Sequence, residues 1–245
     1  MRWKGTVAYD GSGFSGWQSQ PGGNTIQDFL ERRLLAIFQR PVRIHGSGRT
    51  DSGVHAKSQI FHFDADWGHP DQHLARALRS GLPEGIQVAS VRRVPSQFHA
   101  RYSATGKCYA YRLFEGYASP MEVRFCWSLG TRKLDPDRMA SAARRLTGLR
   151  DFTAFAAERG DGREINPVKD LRELRISKRG RRVRVTFIAS GFLYKMARSL
   201  TGVLVEVGIG KLSVDELAGI LEGGKRTPQV VTAPARGLCL ERVYY

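Results

Sequence analysis

Alternating strand and helix patterns over the first hundred residues place the strongest constraint on the fold of this chain. A period-two run at Arg2–Asp10 predicts a strand, and apolar residues at helical spacing in Thr25–Phe38 predict an amphipathic helix. A strand pair within residues 41–63, a helix at His69–Ser80 and a strand at Ile86–Val94 follow. This order of elements predicts an α/β half with its helices on one face of a sheet.

The second half of the chain carries the same kinds of pattern, with no visible repetition of the sequence. Its predicted strands are Lys107–Glu115, Leu171–Ser177, Arg182–Ser190 and a closing strand, and its predicted helices are Asp135–Leu146, Gly191–Gly208 and one capped by Ser213. The polar, glycine-bearing stretch Glu158–Pro167 predicts a mobile loop. We therefore predict two similar halves, 1–104 and 105–245, divided near Phe98–Thr105.

The charge balance indicates the type of partner. The chain has 39 lysines and arginines against 23 aspartates and glutamates, which gives a net charge of +16. A polyanion is the expected partner, and nucleic acid is the leading candidate. A compositional bias towards arginine without a functional cause is the alternative.

Cysteine usage and hydropathy predict a cytoplasmic protein without a membrane segment. Cys108, Cys126 and Cys239 are scattered and form no C-x-x-C motif, so small buried side chains are expected rather than disulfides or a zinc site. No apolar run approaches the roughly 20 residues of a membrane span, and no apolar segment follows Met1.

No cofactor or metal site is expected from the sequence. The glycine-rich segment Gly11–Trp17 lacks the Gly-Lys-Ser/Thr ending of a phosphate-binding loop. His69 and His73 are four residues apart on a predicted helix, but no third ligand lies near them in the sequence. We expect these two histidines to lie on a solvated helix face.

The glycine-rich stretch Gly46–Ala56 is the candidate for chemistry. It joins two strand-like runs, Pro41–His45 and Ala56–Phe63, and is therefore predicted to be a loop. It carries Arg49 and Asp51, and an adjacent guanidinium favours an ionised carboxylate, as a nucleophile or base requires. The alternative is an ordinary turn in which the carboxylate only caps backbone N–H groups.

Gly48-Arg49-Thr50-Asp51-Ser52-Gly53-Val54-His55-Ala56 resembles the signature G-R-T-D-A-G-V-H-A of the tRNA pseudouridine synthase A family, with Ser52 in place of the usual alanine. Further segments are similar to family motifs, including Tyr9–Pro21 and Thr232–Ala235. Phe98–Thr105 resembles H-A-R-F-S-A-T and precedes a Tyr-x-Tyr, and Phe192–Arg198 resembles F-L-Y-x-M-V-R, with Ala197 in place of valine. The similarity extends from about residue 5 to the C-terminus.

The resemblance implies an enzyme that isomerises uridine to pseudouridine at positions 38, 39 and 40 of the tRNA anticodon stem-loop, without a cofactor. It implies that Asp51 is the catalytic nucleophile, that Arg198 pairs with Asp51, and that Tyr109 packs against the target uracil. Arg49 would help to take the place of the flipped base. It also implies a homodimer, and one extended mixed, mainly antiparallel sheet with a central cleft. The half 1–104 would carry the catalytic loop.

Several alternatives remain open at the level of sequence. The chain could be a non-catalytic RNA-binding protein or, with less support, a phosphate-ester hydrolase. Tyr109 could be a core aromatic, with Tyr111 on the same strand face, and Arg198 an exposed helix cation. The cation-rich turn Lys178–Arg184 could contact phosphates or could be a solvated edge.

Overall fold

The fold is described from a computed structural model that covers residues 1–158 and 166–245. Most of the predicted mobile loop Glu158–Pro167 lies outside the described residues. The chain forms two compact units, one of Met1–Thr105 with Cys239–Tyr245 and the other of Gly106–Leu238. The predicted functional halves, 1–104 and 105–245, remain a prediction.

The described residues contain ten strands and five α-helices. In chain order they are β1 Arg2–Tyr9, α1 Ile26–Phe38, β2 His45–Gly46, β3 His55–Asp64, α2 Asp71–Arg79, β4 Ile86–Val94, β5 Gly106–Phe114, β6 Trp127–Ser128, α3 Pro136–Leu146, β7 Gly148–Asp151, β8 Val168–Arg179, β9 Arg182–Ala189, α4 Met196–Gly208, α5 Val214–Glu222 and β10 Leu238–Tyr244. The pairings β1–β3, β1–β4, β2–β3, β5–β9, β7–β8 and β8–β9 are antiparallel, and the pairings β10–β3 and β6–β5 are parallel. The prediction of an α/β fold with a mixed, mainly antiparallel sheet is confirmed.

In the first unit β1 is the central strand, paired with β3 on one side and β4 on the other. Its residues are buried alternately, as the period-two pattern predicted, and Trp3 is fully buried with its indole N–H donated to Ala65 O at 2.9 Å. The parallel strand β10 joins this sheet beside the start of β3, at His55 and Ala56. The loop Gly46–Ala56 therefore ends on a strand that is paired on both sides.

The predicted strand at Pro41–His45 is largely wrong, because only His45 and Gly46 form β2. The physical reason lies in α1, whose polar side chains bind the backbone of Ile44. Ile44 N–H donates to Glu31 Oε1 at 3.0 Å, and Gln27 Nε2 donates to Ile44 O at 3.3 Å. These backbone groups are bonded without a strand partner.

In the second unit β5, β9, β8 and β7 form an antiparallel series in that order. The buried helix α4 begins at Met196, whereas the apolar pattern predicted a helix from Gly191. Lys195 has a φ of 58°, a left-handed conformation that cannot belong to an α-helix. The segment before it is therefore bound separately, with Ala157 N–H donated to Tyr194 O at 3.0 Å.

Two helical glycines of the second unit give opposite predictions for stability. A Cβ on Gly202 of α4 would overlap the carbonyl oxygen of Val231, whereas a Cβ on Gly219 of α5 would meet no atom within 4 Å. We expect Gly202→Ala to lower the free energy of unfolding by at least about 1–3 kcal/mol, and the matched Gly219→Ala to raise it by about 0.5–1 kcal/mol. Urea unfolding of both variants measures this, and equal effects would contradict the predicted close packing at Gly202.

Several predictions about composition can be compared with the described residues. All three cysteines are buried, as predicted. No described helix combines the length and apolar character that a membrane span requires. Within 1–158 and 166–245, no three histidines, cysteines or carboxylates are arranged to hold a metal ion.

Candidate active site

Asp51 is half-buried in the loop between β2 and β3, directly after a buried threonine. The hydroxyls of Thr50 and Tyr9 lie 2.8 Å apart, which links the loop to β1. Trp17 N–H donates to Thr50 O at 3.1 Å, and Val54 N–H donates to Asp51 O at 3.1 Å. The backbone on both sides of the Asp51 side chain is therefore held by hydrogen bonds.

The first arm of the loop is bound to β3 through a buried glutamine. Ser47 Oγ donates to Gln59 Oε1 at 2.6 Å, and Gln59 Nε2 donates to Gly48 O at 2.9 Å. Ser47 N–H also donates to Ile60 O at 2.7 Å. Because Gln59 is fully buried, these bonds lie away from competing water.

The glycine-rich segment Gly11–Trp17 packs against the other arm of the same loop. Gly16 has a φ of +85°, and a Cβ there would lie 2.6 Å from Thr50 O. Ser52 Oγ donates to Phe14 O at 3.1 Å. The sequence indicated no structural role for this segment, and the close approach of Gly16 to Thr50 shows one.

Arg49 lies on the exposed side of the loop, and its Nε donates to Gln18 Oε1 at 3.3 Å. Arg49 and Asp51 are thus presented by one short, anchored segment of the first unit. The site residues Tyr109 and Arg198 belong to the second unit.

Tyr109 and Tyr111 share one face of β5 but differ in their surroundings. Tyr111 is fully buried, and its hydroxyl donates to Pro234 O at 2.6 Å. Burial raises the pKa of Tyr111 far above its ordinary value, so this phenol stays protonated. Tyr109 is 7% exposed and meets Phe192 edge to face, with ring centroids 4.9 Å apart. Both rings are buried in the core, and Tyr111 is the more deeply buried of the two.

Arg198 lies in the first turn of α4 and is half-buried. Its Nε donates to Ala233 O at 2.8 Å, and Ala233 N–H donates back to Arg198 O at 3.1 Å. These reciprocal bonds fix the start of α4 to the Thr232–Ala235 segment. They also restrict the orientation of the guanidinium, because one of its N–H groups is committed to a backbone carbonyl.

Comparison with known proteins gives a consistent result over most of the chain. The family described as tRNA pseudouridine synthase matches residues 6–103 and 142–245. The tRNA pseudouridine synthase A of Akkermansia muciniphila is 41% identical over 98% of this chain and 93% of that protein. The protein of the same name from Bacillus subtilis is 38% identical over 100% of this chain and 99% of its own length. The tRNA pseudouridine synthase A 2 of Clostridium perfringens is 36% identical over 98% of both chains.

The family match includes some of the proposed site residues but not all of them. Its two segments include Asp51 and Arg198, whereas Tyr109 lies between the segments. The motifs around Asp51 and Arg198 therefore lie within the matched residues, and the proposed role of Tyr109 rests on the Tyr-x-Tyr pattern alone.

Proposed function

Because the chain belongs to the tRNA pseudouridine synthase A family, whose members isomerise uridine to pseudouridine in tRNA, we propose that it acts at positions 38, 39 and 40 of the anticodon stem-loop. In this proposal Asp51 is the nucleophile and no cofactor takes part. The charge of +16 supports a polyanionic substrate. The non-catalytic RNA-binding alternative loses its support, because the family is one of isomerases.

The chemistry fits a single carboxylate. The N1–C1′ bond of uridine breaks, the base turns, a C5–C1′ bond forms, the C5 proton leaves and N1 gains a proton. Atoms and electrons balance without an oxidant, a reductant or net water. A positioned carboxylate can attack a carbon or stabilise a ribosyl cation-like centre. Attack by Asp51 at C1′, attack at C6 and abstraction of a sugar proton are the three routes open to this residue.

The anchored loop around Asp51 is the observation that carries the proposal. Hydrogen bonds from Tyr9, Trp17 and Gln59 hold the residues that precede the half-buried carboxylate, and Val54 N–H donates to the Asp51 carbonyl on its other side. Such fixation lowers the entropy that must be lost when a reacting group is brought into position. A turn that only capped its own N–H groups would not need these contacts to distant strands and loops.

The other site residues have proposed supporting roles. Arg198, oriented by its bond to Ala233 O, would keep Asp51 ionised and directed. Tyr109 would pack against the target uracil. Flipping a paired uridine requires a few kcal/mol of unstacking and unpairing, and Arg49 would help to fill the vacated space.

We also propose how the protein recognises tRNA and how its subunits assemble. Choosing three adjacent uridines implies that the tRNA is read by its shape rather than by base edges. A homodimer with tRNA spanning both subunits, in the cytoplasm, completes the proposal on the basis of the resemblance. Sedimentation of the protein with and without tRNA would measure the subunit number.

Pseudouridine mapping on unmodified tRNA, with no added cofactor, tests the proposed function. We expect the wild-type protein to produce pseudouridine at positions 38, 39 and 40 when a uridine is present there. Transcripts that carry a single uridine at one of the three positions will show which of them is preferred. Salt-sensitive tRNA binding without any pseudouridine would contradict the proposal and favour a binding module.

A further inference from the structure

The cation-rich turn between β8 and β9 divides into two kinds of residue. Lys178 Nζ donates to Glu115 Oε1 at 2.8 Å and to Leu134 O at 3.1 Å. Arg182 forms an ion pair with Glu122, with its Nε 3.1 Å from Glu122 Oε1. These two cations at the ends of the turn therefore bind carboxylates of the second unit itself.

Arg179 and Arg181 occupy the tip and differ from their neighbours. Both are exposed and flank Gly180, whose φ of +57° allows the tight turn. In the part of the chain that the structure describes, neither of the two forms an ion pair. Lys178 and Arg182 anchor the turn, so two guanidinium groups are presented on a fixed base.

An exposed aromatic residue lies in the loop beside this tip. Glu115 N–H donates to Arg181 O at 2.8 Å, which joins the turn to the loop that follows β5. That loop exposes Tyr117 by 81% and Met121 by 84%, two of the most exposed large apolar side chains of the described residues. Arg181 Nη1 would lie 3.6 Å from a Cβ on Gly116, directly before the tyrosine.

We propose a tRNA contact outside the catalytic set, formed by Arg179, Arg181, Tyr117 and Met121. These four residues are called the arginine–tyrosine corner. The two guanidinium groups would bind backbone phosphates, and the tyrosine ring would stack on an unpaired base, with the methionine as an apolar neighbour. This inference rests on the proposed function for the identity of the RNA, and it adds a surface that the catalytic motifs do not include.

Charge argues for RNA rather than for a second copy of the chain on this surface. A symmetric dimer contact would bring the same patch of two copies together, so four guanidinium groups would be crowded into one interface. Burying such like charges without partners is unfavourable. RNA supplies phosphates for the cations and a base for the exposed ring, and so satisfies both parts of the corner.

The charge component is tested by an Arg179→Gln/Arg181→Gln double variant. We expect the Kd for unmodified tRNA to rise about tenfold, and the slope of log K against log salt to become shallower by about 1.5. Lys211→Gln/Lys225→Gln is the matched control, since it removes the same charge from exposed positions of the same unit. An equal loss of tRNA affinity in both double variants would show a general charge effect and would overturn the proposed role of the arginine–tyrosine corner.

The stacking component is tested at Tyr117. We expect Tyr117→Ala to raise the Kd for tRNA at least about fivefold, whereas Tyr117→Phe stays within twofold, because stacking needs the ring and not the hydroxyl. In Tyr117→Trp, tRNA should quench a fluorescence component that the wild type lacks. An unchanged Kd in Tyr117→Ala would overturn the proposal. If the subunit number of this variant also changed, the surface would instead be a contact between copies of the chain.

Activity separates this inference from the proposed function. At saturating tRNA we expect the corner variants to retain the wild-type kcat, because none of these side chains belongs to the catalytic set. If the wild-type protein binds tRNA but forms no pseudouridine, the proposed function fails while the Kd comparisons still decide the corner. Thermal unfolding confirms that each variant is folded.

Discussion

Asp51→Ala is expected to abolish pseudouridine formation while tRNA binding remains within a few-fold of the wild type. The loss follows from the removal of the nucleophilic carboxylate, which no other group of the anchored loop can replace. Binding is retained because the bonds from Tyr9, Trp17 and Gln59 go to Thr50 and Gly48 rather than to the Asp51 side chain. Single-turnover rates and tRNA affinity measure the two effects separately.

Two further variants sharpen the Asp51 test. Asp51→Asn keeps the size of the side chain but removes its charge, and we expect it to be as inactive as the alanine variant. Asp66→Ala removes one carboxylate from an exposed position, 85% exposed, in the same unit and should retain full activity. Wild-type turnover in Asp51→Ala would falsify the assignment of the nucleophile.

Two of the proposed site residues could be singled out from the sequence because they lie together along the chain. Arg49 and Asp51 fall within one glycine-rich stretch, and its position between two strand-like runs predicted a loop that presents them. The side chains that hold this loop could not be predicted in the same way. Tyr9 is 41 residues from Thr50, and its pattern predicted only a strand residue. Contacts of that separation depend on the tertiary fold.

Local patterns failed where other groups bind the backbone. The strand-like run Pro41–His45 predicted a longer strand, but Glu31 and Gln27 of α1 bind the Ile44 backbone instead. The apolar face ahead of α4 predicted a longer helix, but Lys195 takes a left-handed conformation. Hydrophobic periodicity records which residues are buried, and it does not record which groups complete their hydrogen bonds.

The cation-rich turn shows that a charge pattern in the sequence also does not reveal which groups are bound internally. The sequence indicated a cluster of cations at Lys178–Arg184, but Glu115, which pairs with Lys178, is 63 residues away. Only the folded chain distinguishes the cations that bind internal carboxylates from those at the tip. A count of positive charges therefore overstates the number of side chains that RNA can reach.

Arg198→Ala is expected to lower kcat at least several hundred-fold, which corresponds to about 3–4 kcal/mol of transition-state stabilisation. The proposed reason is that Arg198 keeps Asp51 ionised and oriented, as a positioning residue. Its KM for tRNA should change little. The free energy of unfolding should fall by only about 1 kcal/mol, because the bond from Arg198 Nε to Ala233 O is lost but Ala233 N–H keeps its bond to the Arg198 backbone oxygen. Arg198→Lys keeps a charge but loses the planar geometry, and we expect partial activity from it.

Arg226 provides the matched control for Arg198. Its guanidinium donates to Ser199 Oγ at 3.0 Å and to Val230 O at 2.7 Å, so it holds the same region of the second unit together. We expect Arg226→Ala to lower the free energy of unfolding by about 1–3 kcal/mol while kcat, measured well below the unfolding midpoint, stays within a few-fold. The two variants thus separate a structural arginine from a positioning one. An Arg198→Ala enzyme with unchanged kcat would refute the proposed pairing with Asp51, because an ionised carboxylate would then need no partner at that position.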